Sequence, residues 1–482
     1  MVFSNSLFIF MFLPLVTLVY YISKNSVRNY ILLFASLIFY SVGEPYFVFV
    51  MIASIVLNYF IALGIERARS HDEPINARVK GLLILAVVLN IGLLFVFKYL
   101  DFAIGSFNLI FGRDISKFGI VLPIGISFFT FQALSYVIDV YRGEVKAQHS
   151  IFNLGLYISF FPQLIAGPIV RYQTIEEQIS NRETTLDKYS QGICRFIIGF
   201  AKKLIIANNL SLITEKYFGE ALCENAAILW IASISFSLQI YYDFSGYSDM
   251  AIGLGKMFGF DFMENFNYPY CAKNITDFWR RWHISLSSWF RDYVYIPLGG
   301  SRVSVPRHVF NLLVVWLLTG LWHGANYTFI VWGLLYFVLL VFEKFIIFPW
   351  TSKMSDFAAK TVSVIWRIIS LIFVNFAWVI FNSNSLSFAV RFCGRMLGLG
   401  NTAKWLIDIE TLGLLRRYGF FIVLGLIFSM PIVKTVLAHI ENNAAWRRIR
   451  VVVIPVVYVS LFVISLSYIV MGAHNPFLYF NF

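Results

Sequence analysis

The chain has 482 residues, of which 59% are hydrophobic, 18% aromatic and only 13% charged, about half the charged share of an ordinary soluble domain. Mean hydropathy is +0.74. A chain this apolar cannot cover itself with polar side chains in water, so soluble, disordered, fibrous and disulfide-scaffold classes are excluded and a polytopic membrane protein remains.

The net charge of +12 is carried in short segments between apolar runs. That is the pattern of loops kept on the cytoplasmic face, rather than of a nucleic-acid surface. Cys194, Cys223, Cys271 and Cys393 are widely spaced and form no CxxC pair. They predict neither a zinc site nor a disulfide framework, only small packing residues.

Residues 7–22 form the first apolar run, with no Lys or Arg before it and Lys24 and Arg28 after it. A signal peptide needs a positive leading region, so this predicts a retained first helix with its N-terminus outside. Residues 29–64 are too long for one span and are broken by Ser41-Val42-Gly43-Glu44-Pro45, which predicts a helical hairpin. The following loop, 65–80, holds Arg67, Arg69, Arg78 and Lys80, on the same side as Lys24 and Arg28. Further apolar runs fall near 82–97, 119–138, 151–167, 192–213, 226–242, 309–342, 362–381, 418–438 and 451–471. Roughly 11 to 13 membrane helices are predicted, some too short to cross. Breaks at Pro123-Ile124-Gly125, Phe161-Pro162-Gln163, Ala166-Gly167-Pro168, Thr319-Gly320 and Gly324 put irregular backbone at membrane depth. Such backbone is tolerated only inside protein or along water, so an internal cavity is expected. No repeat or Gly/Ser linker divides residues 1–482, which read as one integrated membrane domain.

Three polar islands interrupt the apolar pattern. Residues 265–302 mix Arg280, Arg281, Asp277 and Arg291 with Trp279, Trp282, Trp289 and Tyr293. They are too polar to span lipid and too aromatic for a solvated loop, so an amphipathic or re-entrant segment is predicted, capped at Asn274 or Thr276. If that helix runs on, Trp279, His283 and Leu286 share a face. Arg280 and Arg281 either anchor the interface or bind an anionic ligand, with Trp279 beside them. The second island, Trp322-His323-Gly324-Ala325-Asn326, lies inside the run from Val309 to Phe342. An ionisable group there usually faces a cavity or a polar partner, and a neutral imidazole can act as a general base. Gly320 and Gly324 leave room for a backbone or a ligand, with Trp322 and Asn326 as binding candidates. In the third, Asp243 and Asp249 stand six residues apart around Ser245-Gly246. A turn is predicted there; Asp243 is read as capping a helix or pairing with an Arg, with acid–base work or cation binding as the alternative. Walker A, GxGxxG, HExxH and GxSxG signatures are all absent.

Five stretches taken together resemble the membrane-bound O-acyltransferase superfamily, in its bacterial alginate O-acetylation branch. They are PIGISFFTFQALSYVIDVYRG (123–143), SFFPQLIAGPIVRY (159–172), YYDFSGYSDMAIGLGKMFGF (241–260), FWRRWHISLSSWFRDYVYIPLGG (278–300) and GLWHGANYTFIVWGLL (320–335). The resemblance implies an all-α fold around an internal funnel, a catalytic histidine at His323 and a second at His283. It implies a cytoplasmic acyl thioester donor such as acetyl-CoA, no bound cofactor or metal, and a multi-pass protein of the bacterial inner membrane. A partner of the SGNH-hydrolase type then esterifies an extracytoplasmic polysaccharide. The C-terminal segment 475–482, Asn-Pro-Phe-Leu-Tyr-Phe-Asn-Phe, is similar to the FxYxxF-type tail of that branch and makes Tyr479 an acyl-carrier candidate; an interfacial aromatic anchor is the alternative. A transporter or channel also suits broken helices and a mid-membrane histidine, and an acyltransferase acting on lipid, protein or teichoic acid shares that histidine.

Overall fold

The computed structural model describes residues 1–69, 76–219, 222–400, 407–441 and 443–478. Tyr479 lies outside the described residues. Among them there are helices and connecting segments but no β-strand. Ten helices are long and apolar enough to cross a membrane. In chain order the elements used below are α1 (Phe8–Ile22), α2 (Asn25–Gly43), α3 (Phe47–Ala68), α4 (Ala77–Phe111), α5 (Ile126–Arg142), α6 (Ile151–Ser159), α7 (Tyr172–Ser180), α8 (Leu186–Tyr217), α9 (Ala226–Met257), α10 (Ile275–Arg281), α11 (Ile284–Phe290), α12 (Val305–His323), α13 (Tyr327–Thr351) and α14 (Asp356–Asn382). Four further helices, Leu386–Met396, Ile409–Phe428, Ile432–Ile440 and Ala444–Val470, follow among the described residues. With the ten spans, the shorter α1, α5 and α6 fit the predicted 11 to 13 helices, some too short to cross.

The chain divides into two compact units, Met1–Phe196 with Ser248–Met263, and Ile197–Tyr247 with Glu264–Phe482. In the first, the predicted hairpin forms as α2 and α3. Asn58 of α3 and Asn90 of α4 exchange side-chain amide hydrogen bonds at 3.2 and 2.8 Å, the usual way for paired polar groups to hold helices together in lipid. An apolar groove of about 500 Å³ runs beside that pair, lined by Val50, Leu57, Ile61, Val88 and Phe97. α6 stops at Ser159 because Pro162 lacks an N–H and its ring opposes a preceding carbonyl. The groups this frees are satisfied: the Phe161 N–H donates to Ser36 Oγ at 3.0 Å, and Gln163 Nε2 to the Tyr157 carbonyl at 2.6 Å. At the other end of α5, Arg69 donates to the carbonyls of Val140, Tyr141 and Arg142, a cation closing a helix C-terminus.

Two predicted breaks take another form, and one expected helix is broken. Ser245-Gly246 makes no turn, and α9 continues unbroken for 32 residues. A Cβ on Gly246 would stand 2.7 Å from the Gly199 carbonyl of α8, so the glycine admits a neighbouring helix instead of ending its own. Likewise α12 runs through Thr319-Gly320, and the chain breaks only at Gly324. The segment 275–290 is two helices rather than one. Asn274 caps the first, accepting the Asp277 N–H at 2.7 Å. The Asn265 carbonyl then accepts the Ile284 N–H at 2.9 Å, which draws the chain out of helix at Trp282 and His283. The common face expected for Trp279, His283 and Leu286 therefore does not form.

Candidate active site

Both histidines lie in the second unit. α12 and α13 form a tight antiparallel pair because a Cβ on Gly320 would sit 2.5 Å from the Phe329 carbonyl, and one on Gly333 would sit 2.4 Å from the Trp316 carbonyl. The room left by Gly320 is thus filled by backbone, and that beside Gly324 by the Phe329 ring, 2.2 Å from the Cβ position. His323 closes α12 at the mouth of this pair, 5% exposed. Its ring meets Trp322, Trp332 and Phe381 edge-on, with centroids 5.0, 5.0 and 5.1 Å away.

His283 is placed by hydrogen bonds. Its backbone is left-handed, with φ 44° and ψ 56°, a conformation costly for a residue with a Cβ and typical of functional positions. Asn265, fully buried, holds it there. Asn265 Oδ1 accepts the Ser285 N–H at 3.1 Å and the Ser285 hydroxyl at 2.9 Å, and it lies 3.2 Å from His283 Nδ1. A backbone N–H can only donate, so the Asn265 atom is the carbonyl oxygen and His283 Nδ1 carries the proton. Nε2 is left as the basic nitrogen, buried and without a hydrogen-bond partner among the described residues. Burial pushes the His283 pKa down to about 3, so the ring stays neutral at ordinary pH.

Trp322 joins the two: its ring centroid is 5.7 Å from His283 and 5.0 Å from His323. Trp279 enters the same aromatic cluster through Trp332, at 5.6 Å, and packs on Trp316 and Tyr336. Glu343, fully buried, ties down the start of α10: it accepts the N–H groups of Ile275 and Thr276 at 2.9 Å each, and Trp366 Nε1 at 2.8 Å. The remaining candidates sit elsewhere. Arg280 is exposed, and Arg281 pairs with Asp277 at 3.0 Å. Asn326 caps α13, accepting the Thr328 N–H at 3.1 Å and donating to the Asn384 carbonyl at 3.2 Å. Asp243 pairs with Lys203 at 2.5 Å, and Asp249 pairs with Arg195 at 2.6 Å. Each carboxylate thus has its own cation, a lysine rather than the expected arginine in the first case. Asn265, Ser285, Trp332 and Glu343 were not singled out by sequence. For Asn265 the available signal was an amide just before the aromatic-rich block, although nothing local ties it to a histidine 18 residues on.

The fold and site define a polytopic α-helical membrane protein with two buried histidines against one indole. Residues 144–387 match the model of the membrane-bound O-acyltransferase family. The chain is 38% identical to the probable alginate O-acetylase AlgI of Azotobacter vinelandii, across the whole of both chains. It is 34% identical to the peptidoglycan O-acetyltransferase of Helicobacter pylori, covering 100% of this chain and 98% of that one. Similarity to the teichoic acid D-alanyltransferase of Bacillus subtilis is 32%, over 54% of this chain and 68% of the relative. The chain belongs to the membrane-bound O-acyltransferase family, in its alginate O-acetylation branch, and is a multi-pass membrane O-acyltransferase.

Proposed function

We propose that the protein moves an acetyl group from a cytoplasmic thioester donor, acetyl-CoA, across the bacterial inner membrane for O-acetylation of an extracytoplasmic polysaccharide. The observation that carries this reading is the pair of buried histidines packed against Trp322. His323 takes the proton of an acceptor hydroxyl, whose oxygen bonds to the acetyl carbonyl carbon as the C–S bond breaks and the thiol leaves. His283, neutral and protonated on Nδ1, offers Nε2 to orient the donor or relay that proton. Trp322 and Trp279 shape the site around the acyl group. Arg280 and Arg281 serve as headgroup or anion contacts. Tyr479 is the hydroxyl that receives the acetyl group first, and a partner of the SGNH-hydrolase type completes the ester. The names of the relatives support acetyl as the group and a cell-surface polymer as its destination. Alginate or a related exopolysaccharide is the acceptor we favour; the Helicobacter similarity, over nearly the full length, favours peptidoglycan as the second reading.

The test is polymer O-acetyl content in cells carrying His323→Ala, with membrane level of the variant measured beside wild type. Loss of about 100-fold or more is expected at normal protein level, the scale of a missing general base. Acetylation that persists sinks the catalytic assignment. Analysing exopolysaccharide and peptidoglycan separately identifies the acceptor, and Tyr479→Phe with full activity removes the carrier role.

A further inference from the structure

In the second unit an ion pair is buried with no place in the chemistry above. Lys203 Nζ and Asp243 Oδ1 are 2.5 Å apart, with both side chains only 3% exposed. Removing two charges from water at membrane depth is costly, and their mutual attraction offsets it only when further hydrogen bonds complete both ions. Here both further bonds come from the C-terminal segment. Asp243 Oδ2 accepts the Leu478 N–H at 2.9 Å, and Lys203 Nζ donates to the Pro476 carbonyl. On either side of these main-chain contacts, Asn208 Nδ2 donates to Asn475 Oδ1 at 3.1 Å, and the Phe477 ring packs 5.0 Å from Tyr247.

The segment 473–477 has no helix of its own. Past Ala473, whose N–H still bonds the Tyr468 carbonyl of the preceding helix, its N–H and C=O groups lie beyond the helical ladder, so inside an apolar bundle they need partners from elsewhere. Lys203 is turned toward it by a π-helical stretch, Lys202–Ala207, within α8, an irregularity frequent at functional sites. We infer that Lys203 and Asp243 form a main-chain receptor for an extended peptide, whose ligand is this chain's own C-terminal segment. The ion pair reads the carbonyl of residue 476 and the N–H of residue 478, so it sets the register of the segment. Side chains at 476 and 478 are tolerated; the N–H at 478 is required. The inference concerns docking and does not depend on the carrier role proposed for Tyr479.

The test uses the full-length chain, with Cys194, Cys223, Cys271 and Cys393 replaced by serine and with Asn208→Cys and Asn475→Cys introduced. Oxidative formation of the 208–475 disulfide, read by mass spectrometry, reports docking without any acyl transfer. The parent and Leu478→Ala are expected to cross-link alike. Leu478→Pro, which removes the N–H that Asp243 accepts, with Leu478→Ala as the control for the lost side chain, is expected to lower the yield about tenfold or more, the scale of losing a hydrogen bond to a charged group. Lys203→Met combined with Asp243→Leu is expected to do the same with an unchanged gel-filtration profile. Should that pair variant aggregate, the comparison of Leu478→Pro with Leu478→Ala decides, because both leave Lys203 and Asp243 in place and share the loss of the leucine side chain. Cross-linking of Leu478→Pro at the parent's rate, or none in the parent, overturns the inference.

Discussion

The hairpin that carries His323 and the kinked segment that carries His283 place their imidazoles by different means. His323 ends a regular helix, and its position follows from glycine-mediated contact between α12 and α13 and from three aromatic rings. His283 interrupts helix, takes a left-handed backbone and is tied through Nδ1 to Asn265. Packing fixes where a ring sits. Hydrogen bonding also fixes which nitrogen is basic, at the cost of backbone strain. The two histidines are therefore held differently, one by packing against aromatic rings and one in a preset neutral tautomer.

The largest effect that separates them is loss of acyl transfer in His323→Ala, described above; His283→Ala is expected to lower transfer by a smaller factor, measured as polymer O-acetyl content at equal protein level. Next comes Gly320→Ala, whose new methyl would meet the Phe329 backbone, which cannot swing aside. A loss of about 1–3 kcal/mol is expected, as for overpacked cores, read as a lower Tm. An unchanged Tm would mean that the hairpin tolerates separation and does not fix His323. On the other side, Asn265→Leu strands the Ser285 N–H and the His283 Nδ1–H, so about 1–3 kcal/mol of stability should be lost. Asn265→Asp keeps an acceptor and should recover most of it. If both variants melt alike, Asn265 is not the group that sets the tautomer.

Smaller effects test the strain and the charge state. His283→Gly and His283→Ala both lack the imidazole, yet glycine accepts positive φ freely, so the glycine variant should be the more stable by about 1 kcal/mol. Equal stabilities would show that the backbone is not held in the left-handed region. Acidification gives the last comparison. His283 has a folded pKa of about 3 against an ordinary 6.5, so between those values the unfolded chain binds the proton and the folded one does not. Its contribution to stability is complete above about 6.5 and is lost as pH falls toward 3. Melting temperature should decline less steeply over that window in His283→Gln than in wild type.

Much of the architecture was legible because it depends on local pattern. The break at 41–45 and the polar residues after His323 both interrupt apolar runs, and both coincide with observed helix ends. Asn274 announced a cap through its residue type and the acidic residue three positions on. Ser245-Gly246 misled because glycine has two uses, ending a helix and admitting a neighbour, and only the carbonyl of Gly199 distinguishes them. Likewise Asp243 advertised a charged partner but not which one. Lys203 lies 40 positions earlier and reaches it only through helix packing.

By itself the sequence determined the membrane class, most spans and the placing of His323 at a break in an apolar run, since hydropathy and helix-stopping chemistry act over a few neighbouring residues. Tertiary structure decided which residues meet: Trp322 against two histidines, Asn265 on one imidazole, and the C-terminal segment on a buried ion pair. Those outcomes turn on hydrogen bonds and close contacts between distant stretches, where a buried polar group must find its partner in space rather than along the chain.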